Sequence, residues 1–344
     1  MVRGFAASLI VLAIPVTGWF ACLPNEPALV AWPPTSDSGA DSSDDPSVDG
    51  GRCATGVADA SPFGDPIPVF RTHNGADRRG ASLSRDEKTL YFGNANDVSN
   101  GMAYPSRLHR ARREDRAASF TTSDELPIIN AFASQDFPRV SYDENTLVFA
   151  AIVESGGVPH LYFATRTNPG SDFGAPGPLN LILDGGQSEL TPFLRKALDG
   201  TGELWFAQCG RGSSNDCRTA EAGASLDLYR AVIKNPDFDA SSPFGGLVRD
   251  IDVNENDENE SSPVLSADGL EIFFARSGKI FRAWREKTTD RFRGIDQVRS
   301  LNVSGNEAPN WLSQDNCRLY LQSQKDSPGE PRKVDLYMAV RSPP

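Results

Sequence analysis

The chain has 344 residues, with Lys+Arg 34 against Asp+Glu 46 and a formal net charge of −12. That balance speaks against nucleic acid as a partner, because a polyphosphate binder presents basic surface. Apolar residues are 39% of the chain, enough for a large core, but Gly 30 and Pro 25 are too many breakers for a helical protein, so short strands joined by turns are expected.

The first residues, Met1, Val2 and Arg3, precede an apolar stretch from Phe5 to Ala21 that ends at Cys22. Residues 1–22 read as an export signal whose cysteine is lipidated, with ordinary cleavage nearby as the alternative. The protein is then expected in the bacterial cell envelope, held to the outer membrane through a lipid on Cys22 and touching membrane in no other way. Residues 23–60 carry small, acidic and proline residues without apolar periodicity, including Glu26, Asp37, Asp41, Asp44, Asp45, Asp49 and Asp59 against Arg52. Such a segment has too little apolar surface to fold and reads as a solvated, self-repelling spacer.

From residue 61 to 344 one pattern recurs five times: a polar or Pro-led strand, a turn carrying Asp, then an aliphatic-aromatic triplet. The copies are ASLSRDEKTLYF (81–92), PRVSYDENTLVF (138–149), PFLRKALDGTGELWF (192–206), PVLSADGLEIFF (263–274) and NWLSQDNCRLYL (310–321). Their turn aspartates Asp86, Asp143, Asp199, Asp268 and Asp315 are best read as caps of a tight turn. After each copy comes a second strand (RLHRARR, HLYFATR, DLYRAV, KIFRAWR, DLYMAVR), and then a unit that ends at Asn130, Asp184, Asn254 or Asn302. One repeat is thus four short strands, A to D, which describes a propeller blade. The fifth copy lacks its D strand, and residues 62–74 resemble residues 173–184, so an N-terminal strand is expected to complete the last blade and remove two open sheet edges. The fold class is therefore all-β, a five-bladed propeller of four-stranded antiparallel blades. The S-x-D-G turn, the L-Y-F triplet and the D-L-Y-x-A strand resemble the TolB-type, WD40-like repeats of exported bacterial proteins. That resemblance implies the fold over residues 61–344 and leaves the activity open.

Apart from Cys22 there are four cysteines. Export suggests two disulfides, Cys209 with Cys217 across a B-to-C insertion and Cys53 with Cys317 across the closing blade. The three histidines, His73, His109 and His160, fall on different repeats and are not expected to converge. The run from Asp252 to Glu260 hints weakly at calcium, but Asp257 and Pro263 break the loop pattern at its sixth and twelfth positions, so a solvated acidic loop and no cofactor are expected.

One acid precedes each A strand: Asp77, Asp136, Glu189, Glu260 and Glu307. With insertions around residues 94–106, 209–225 and 322–333 emerging on the same face, these acids would make a negative channel mouth that attracts a cationic envelope protein or peptide. The competing role is local, with each acid binding backbone amides. Their apparent repetition counts against distinct catalytic roles, so the expectation is a monomeric, non-enzymatic interaction module. A glycan-binding or glycoside-hydrolysing propeller is the alternative. The recurring C-strand arginines Arg113, Arg166, Arg285 and Arg341 are expected in exposed or interblade ion pairs.

Overall fold

The computed structural model describes residues 53, 55, 62–71, 77–95, 106–154, 157–179, 181, 188–196, 202–209, 225–234, 244–249, 252–255, 258–325 and 333–341, all within the compact unit Ala31–Pro344. The signal with Cys22, most of the acidic spacer, His73, Asp184, Asp199, Cys217 and most of the three insertions lie outside the described residues.

In chain order the strands are β1 (Ile67–Pro68), β2 (Asp77–Leu83), β3 (Thr89–Ala95), β4 (Ser106–Arg112), β5 (Ser123–Glu125), β6 (Ser134–Val140), β7 (Thr146–Ile152), β8 (His160–Thr165), β9 (Gly177–Pro178) and β10 (Glu189–Lys196). They continue with β11 (Gly202–Cys209), β12 (Leu226–Ile233), β13 (Phe244–Arg249), β14 (Glu260–Leu265), β15 (Glu271–Arg276), β16 (Lys279–Trp284), β17 (Arg293–Gln297), β18 (Glu307–Leu312), β19 (Arg318–Lys325) and β20 (Lys333–Val340). Every contact between neighbouring strands is antiparallel, in four-stranded sheets β2-β3-β4-β5, β6-β7-β8-β9, β10-β11-β12-β13, β14-β15-β16-β17 and β1-β20-β19-β18. This is the five-bladed propeller read from the repeats. β1 closes the fifth blade against β20, with Ile67 opposite Met338, and Phe63 bridges to Arg341. Among the described residues no helix is long and apolar enough to cross a membrane.

The core explains the triplet in each B strand. Side chains alternate faces along a strand, and a blade packed between two others needs apolar groups on both faces. Leu90 and Phe92 enter one cluster with Tyr320 and Leu336 of the fifth blade, while Tyr91 enters another with Leu147 and Phe149 of the second. Similar clusters fill the other seams, with Trp205 against Phe274, Val148 against Phe206, and Phe273 against Leu319.

The C-strand arginines are stitches between blades more than surface ion pairs. Arg113, Arg166, Arg285 and Arg341 each donate from Nε to a carbonyl in the A–B turn of their own blade, at Glu87, Glu144, Gly269 and Asn316. Each lies over a phenyl ring, Phe120, Phe173, Phe292 and Phe63, between 4.4 and 5.0 Å from its centre. Arg166 reaches the Tyr91 hydroxyl of the blade before it, and Arg113 the Tyr320 hydroxyl, both at 3.1 Å. In the third blade Ile233 takes the arginine's place, and it packs with Val148, which has no hydroxyl to satisfy.

The turn aspartates cap as expected. Asp86, Asp143, Asp268 and Asp315 each accept from a turn serine and from a backbone N–H two residues on. The asparagines that end the D units do a different job. Asn130 accepts from Leu108 N at 2.8 Å and donates to Leu108 O at 3.0 Å, and Asn254 holds Leu228 and Asn302 holds Ile280 in the same two-bond way. The side chain thus stands in for one residue of strand where the D unit turns inward. Replacing Asn302 by Ala leaves the buried Ile280 amide without that partner and should cost about 1–3 kcal/mol in urea denaturation, with the midpoint lowered and the slope unchanged.

Candidate functional site

The innermost strand of each blade carries a β-bulge, where one extra residue re-aims the chain. In the first four blades a bulge residue has left-handed backbone: Gly80 (φ 63°), Phe137 (φ 52°), Thr191 (φ 46°) and Ser262 (φ 53°). Pro309 holds the matching place in the fifth, where its ring forbids positive φ. The bulges bring blades together near the axis. Ser262 N donates to Thr191 Oγ1 at 2.9 Å, Gly80 N donates to Gln322 Oε1 at 3.0 Å, and a Cβ on Gly80 would lie 2.6 Å from the Phe137 Cα.

Above these contacts, on the face of the D–A and B–C connections, lies a cavity of about 210 Å³. Phe137, Thr191 and Ser262 line it together with Asn306, Glu307 and Gln322. An aromatic ring, hydroxyls, amides and one carboxylate around a small hollow suit a ligand that is itself a ring bearing hydroxyls.

The five acids named from the sequence all stand at the start of an innermost strand, but not at one repeated position. Asp77 lies three residues before Gly80, Asp136 one before Phe137, and Glu189, Glu260 and Glu307 two before Thr191, Ser262 and Pro309.

Arg79 is bonded to Asp77 and acts on Asp136 of the second blade as a nearby positive charge. Asp77 accepts from Arg79 Nε at 3.0 Å and from its Nη2. Asp136 accepts from the Phe137 amide at 2.9 Å and packs against Gly93, where a Cβ would lie 2.0 Å from its Oδ1. Burial pushes the Asp136 carboxyl up to about 6, against the pull of Arg79 and with a further push from Asp77. Glu189 accepts from Leu161 N at 3.0 Å, doing in the second blade what asparagine does elsewhere, and lies 3.7 Å from His160, whose pKa its hydrogen bond raises. Glu260 accepts from Arg276 Nε at 2.8 Å and from Glu255 N at 3.2 Å, while its Oε2 has no hydrogen-bond partner and burial raises its pKa. Glu307 accepts from Ser304 and, at 3.0 Å, from Gly305 N, and it alone of the five lines the cavity.

Of the histidines, His109 stacks on Phe92 and burial lowers its pKa, in a different blade from His160. In the Asp252–Glu260 run, Asp252 pairs with Arg291, and Glu255 and Glu260 with Arg276. Cys53 and Cys317 form the expected disulfide, and Cys209 is also disulfide-bonded. Sequence reading missed Arg79 and the bulge residues. A signal was present, since the places of Gly80, Phe137, Thr191, Ser262 and Pro309 hold five different residue types beside otherwise repetitive strands.

The raised Asp136 carboxyl makes stability depend on pH with a definite sign. The folded state holds its proton up to about 6 whereas the unfolded chain releases it near 3.8, so this group's contribution is fully present below pH 4 and lost as pH rises through 6. The loss approaches 3 kcal/mol, about 1.4 kcal/mol per pKa unit. Urea denaturation of the wild type and Asp136→Asn at pH 4.0 and 7.5 should show the wild type losing ground to the variant at the higher pH.

No family model and no curated protein matches this chain. Solved structures do. The GH43_1 enzyme from Xanthomonas citri complexed with xylotriose aligns with a TM-score of 0.53 and 15% identity over 80% of this chain and 89% of its own. The xylan beta-1,4-xylosidase from Bacillus halodurans aligns at 0.52 and 13% identity, over 79% of this chain and 54% of its own. TolB from Acinetobacter baumannii aligns at 0.41, with 16% identity over 78% of this chain and 55% of its own, and the TolB-type family is not shown. The expectation of a non-enzymatic module is corrected here, because glycoside hydrolases predominate among the solved structures that share the fold. The sequence argument behind it also fails, since the acids do not repeat one position. What the comparisons establish is a five-bladed propeller, and the chain is similar to those enzymes in that fold.

Proposed function

We propose that this protein is a carbohydrate-active propeller that binds a glycan at its channel mouth and hydrolyses a glycosidic bond there. The observation that carries the reading is the pair Asp77 and Asp136 across Arg79, one carboxyl salt-bridged and the other with its pKa lifted to about 6. Glycoside hydrolysis needs such a division, a carboxylic acid that protonates the leaving oxygen and a second carboxylate that works on the sugar or on water. Asp136 is the proton donor in this scheme and Asp77 the second carboxylate. Arg79 keeps the two apart in charge, and Gly93 leaves the space the Asp136 carboxyl fills. The cavity lining supplies stacking and hydroxyl recognition, and the xylotriose complex of a propeller with this fold supports a glycan as ligand.

A glycan thus takes the place of the cationic envelope protein as the proposed ligand. The disulfides support an oxidising compartment, in keeping with the proposed export and the Cys22 anchor. The test is to incubate the purified protein with neutral polysaccharides of xylose, arabinose, galactose and glucose, and to measure binding by calorimetry and new reducing ends by colorimetry. New reducing ends from one of them support the reading, whereas no binding and no release from any of them overturns it.

A further inference from the structure

The cavity is small and has a floor. About 210 Å³ is below the ~300–1,000 Å³ of pockets that enclose drug-sized ligands, so it holds one sugar ring and not a run of three. Beneath it the innermost strands are tied together: Ser262 to Thr191, Gly80 to Gln322, and Gly80 packed on the Phe137 backbone. A polymer cannot thread through such a place. Phe137 is a second, independent sign. A bulky residue at φ 52° is costly, roughly 1–2 kcal/mol, where the first blade uses glycine. Strain of this kind persists where the side chain it positions is used. Phe137 lines the cavity while its side chain also packs on the core between the second and third blades, and it directly follows Asp136 in sequence, so the proposed proton donor is rooted one residue from the cavity wall. Glu307 is the one charged group among the described lining residues, which disfavours uronic or sulfated sugars.

Building on the proposed hydrolysis, we infer that the cavity admits one uncharged terminal sugar stacked on Phe137, so that the protein removes single residues from chain ends and does not cut within chains. The probes are linear neutral hexasaccharides of xylose, arabinose, galactose and glucose, fluorescently labelled at one end and sampled before a tenth is consumed. Monosaccharide and pentasaccharide as the only early products are the expected result. Mixed internal fragments would overturn the chain-end inference while leaving hydrolysis standing, whereas no products from any probe would remove both. Phe137→Ala should raise KM at least tenfold with a smaller change in kcat, and Phe137→Trp should restore most of the loss. Because alanine also relieves part of the packing, thermal unfolding of both variants is measured alongside. A KM unchanged in a folded Phe137→Ala protein would exclude the stacking role.

Discussion

Asp136→Asn is expected to lower kcat/KM for glycan hydrolysis by about 10²–10⁴-fold, the usual contribution of a positioned general acid, while the protein stays folded. The amide keeps the shape and the Phe137 N–H bond but has no proton to give. The same substitution should stabilise the fold at pH 7.5, because it removes a buried charge that the wild type carries above pH 6. Activity and stability moving in opposite directions separates a catalytic loss from a folding loss. In the wild type the alkaline limb of kcat/KM should fall as pH rises through about 6, where the Asp136 proton is lost, and this limb should be missing from the residual activity of the variant. An Asp136→Asn protein with wild-type turnover and an unchanged pH profile would remove Asp136 from the mechanism.

The second large effect concerns ring closure. The Cys53–Cys317 bridge spans 264 residues of sequence, and cross-linking a loop that long restricts the unfolded chain by an amount worth about 5 kcal/mol in the chain-entropy model. The double substitution Cys53→Ser with Cys317→Ser should lower stability by about 3–5 kcal/mol in guanidinium denaturation and leave the Cys209 disulfide untouched. Noncovalent contacts also hold the closure, among them two paired residues of β1, the Phe63–Arg341 bridge, and the buried Arg78–Asp335 pair at 3.1 Å between the first and fifth blades. A loss below 1 kcal/mol would mean that these contacts close the ring unaided.

The repeat made the fold legible because each blade packs against two others, so the same alternation is imposed five times and leaves the same triplets in the chain. The missing final strand and its N-terminal replacement could be read for the same reason, as could the closing disulfide. The site was harder to read. Its acids look equivalent when counted from the A strands, and only the place of each bulge shows that Asp77 and Asp136 stand three and one residues before it where Glu189, Glu260 and Glu307 stand two. Periodicity records where a strand lies but not where it takes an extra residue, and one residue reverses the face of everything before it. Arg79 was passed over because its importance depends on a neighbour 57 residues away that only blade packing brings close. The arginine stitches show the converse. Ile233 in place of arginine is an irregularity in the sequence, yet it matches Val148 across the seam as directly as Arg166 matches Tyr91.

Cys53 sits beside the A–B turn of the last blade, bonded to Cys317 and with its amide on Asp315 O, and Thr55 donates to Asp268 in the neighbouring blade's turn. Strands alternate direction, so this is the opposite side of the disk from the cavity. The described chain therefore begins on the side of the propeller away from the cavity, and the Cys53–Cys317 bridge fixes that starting point to the closing blade.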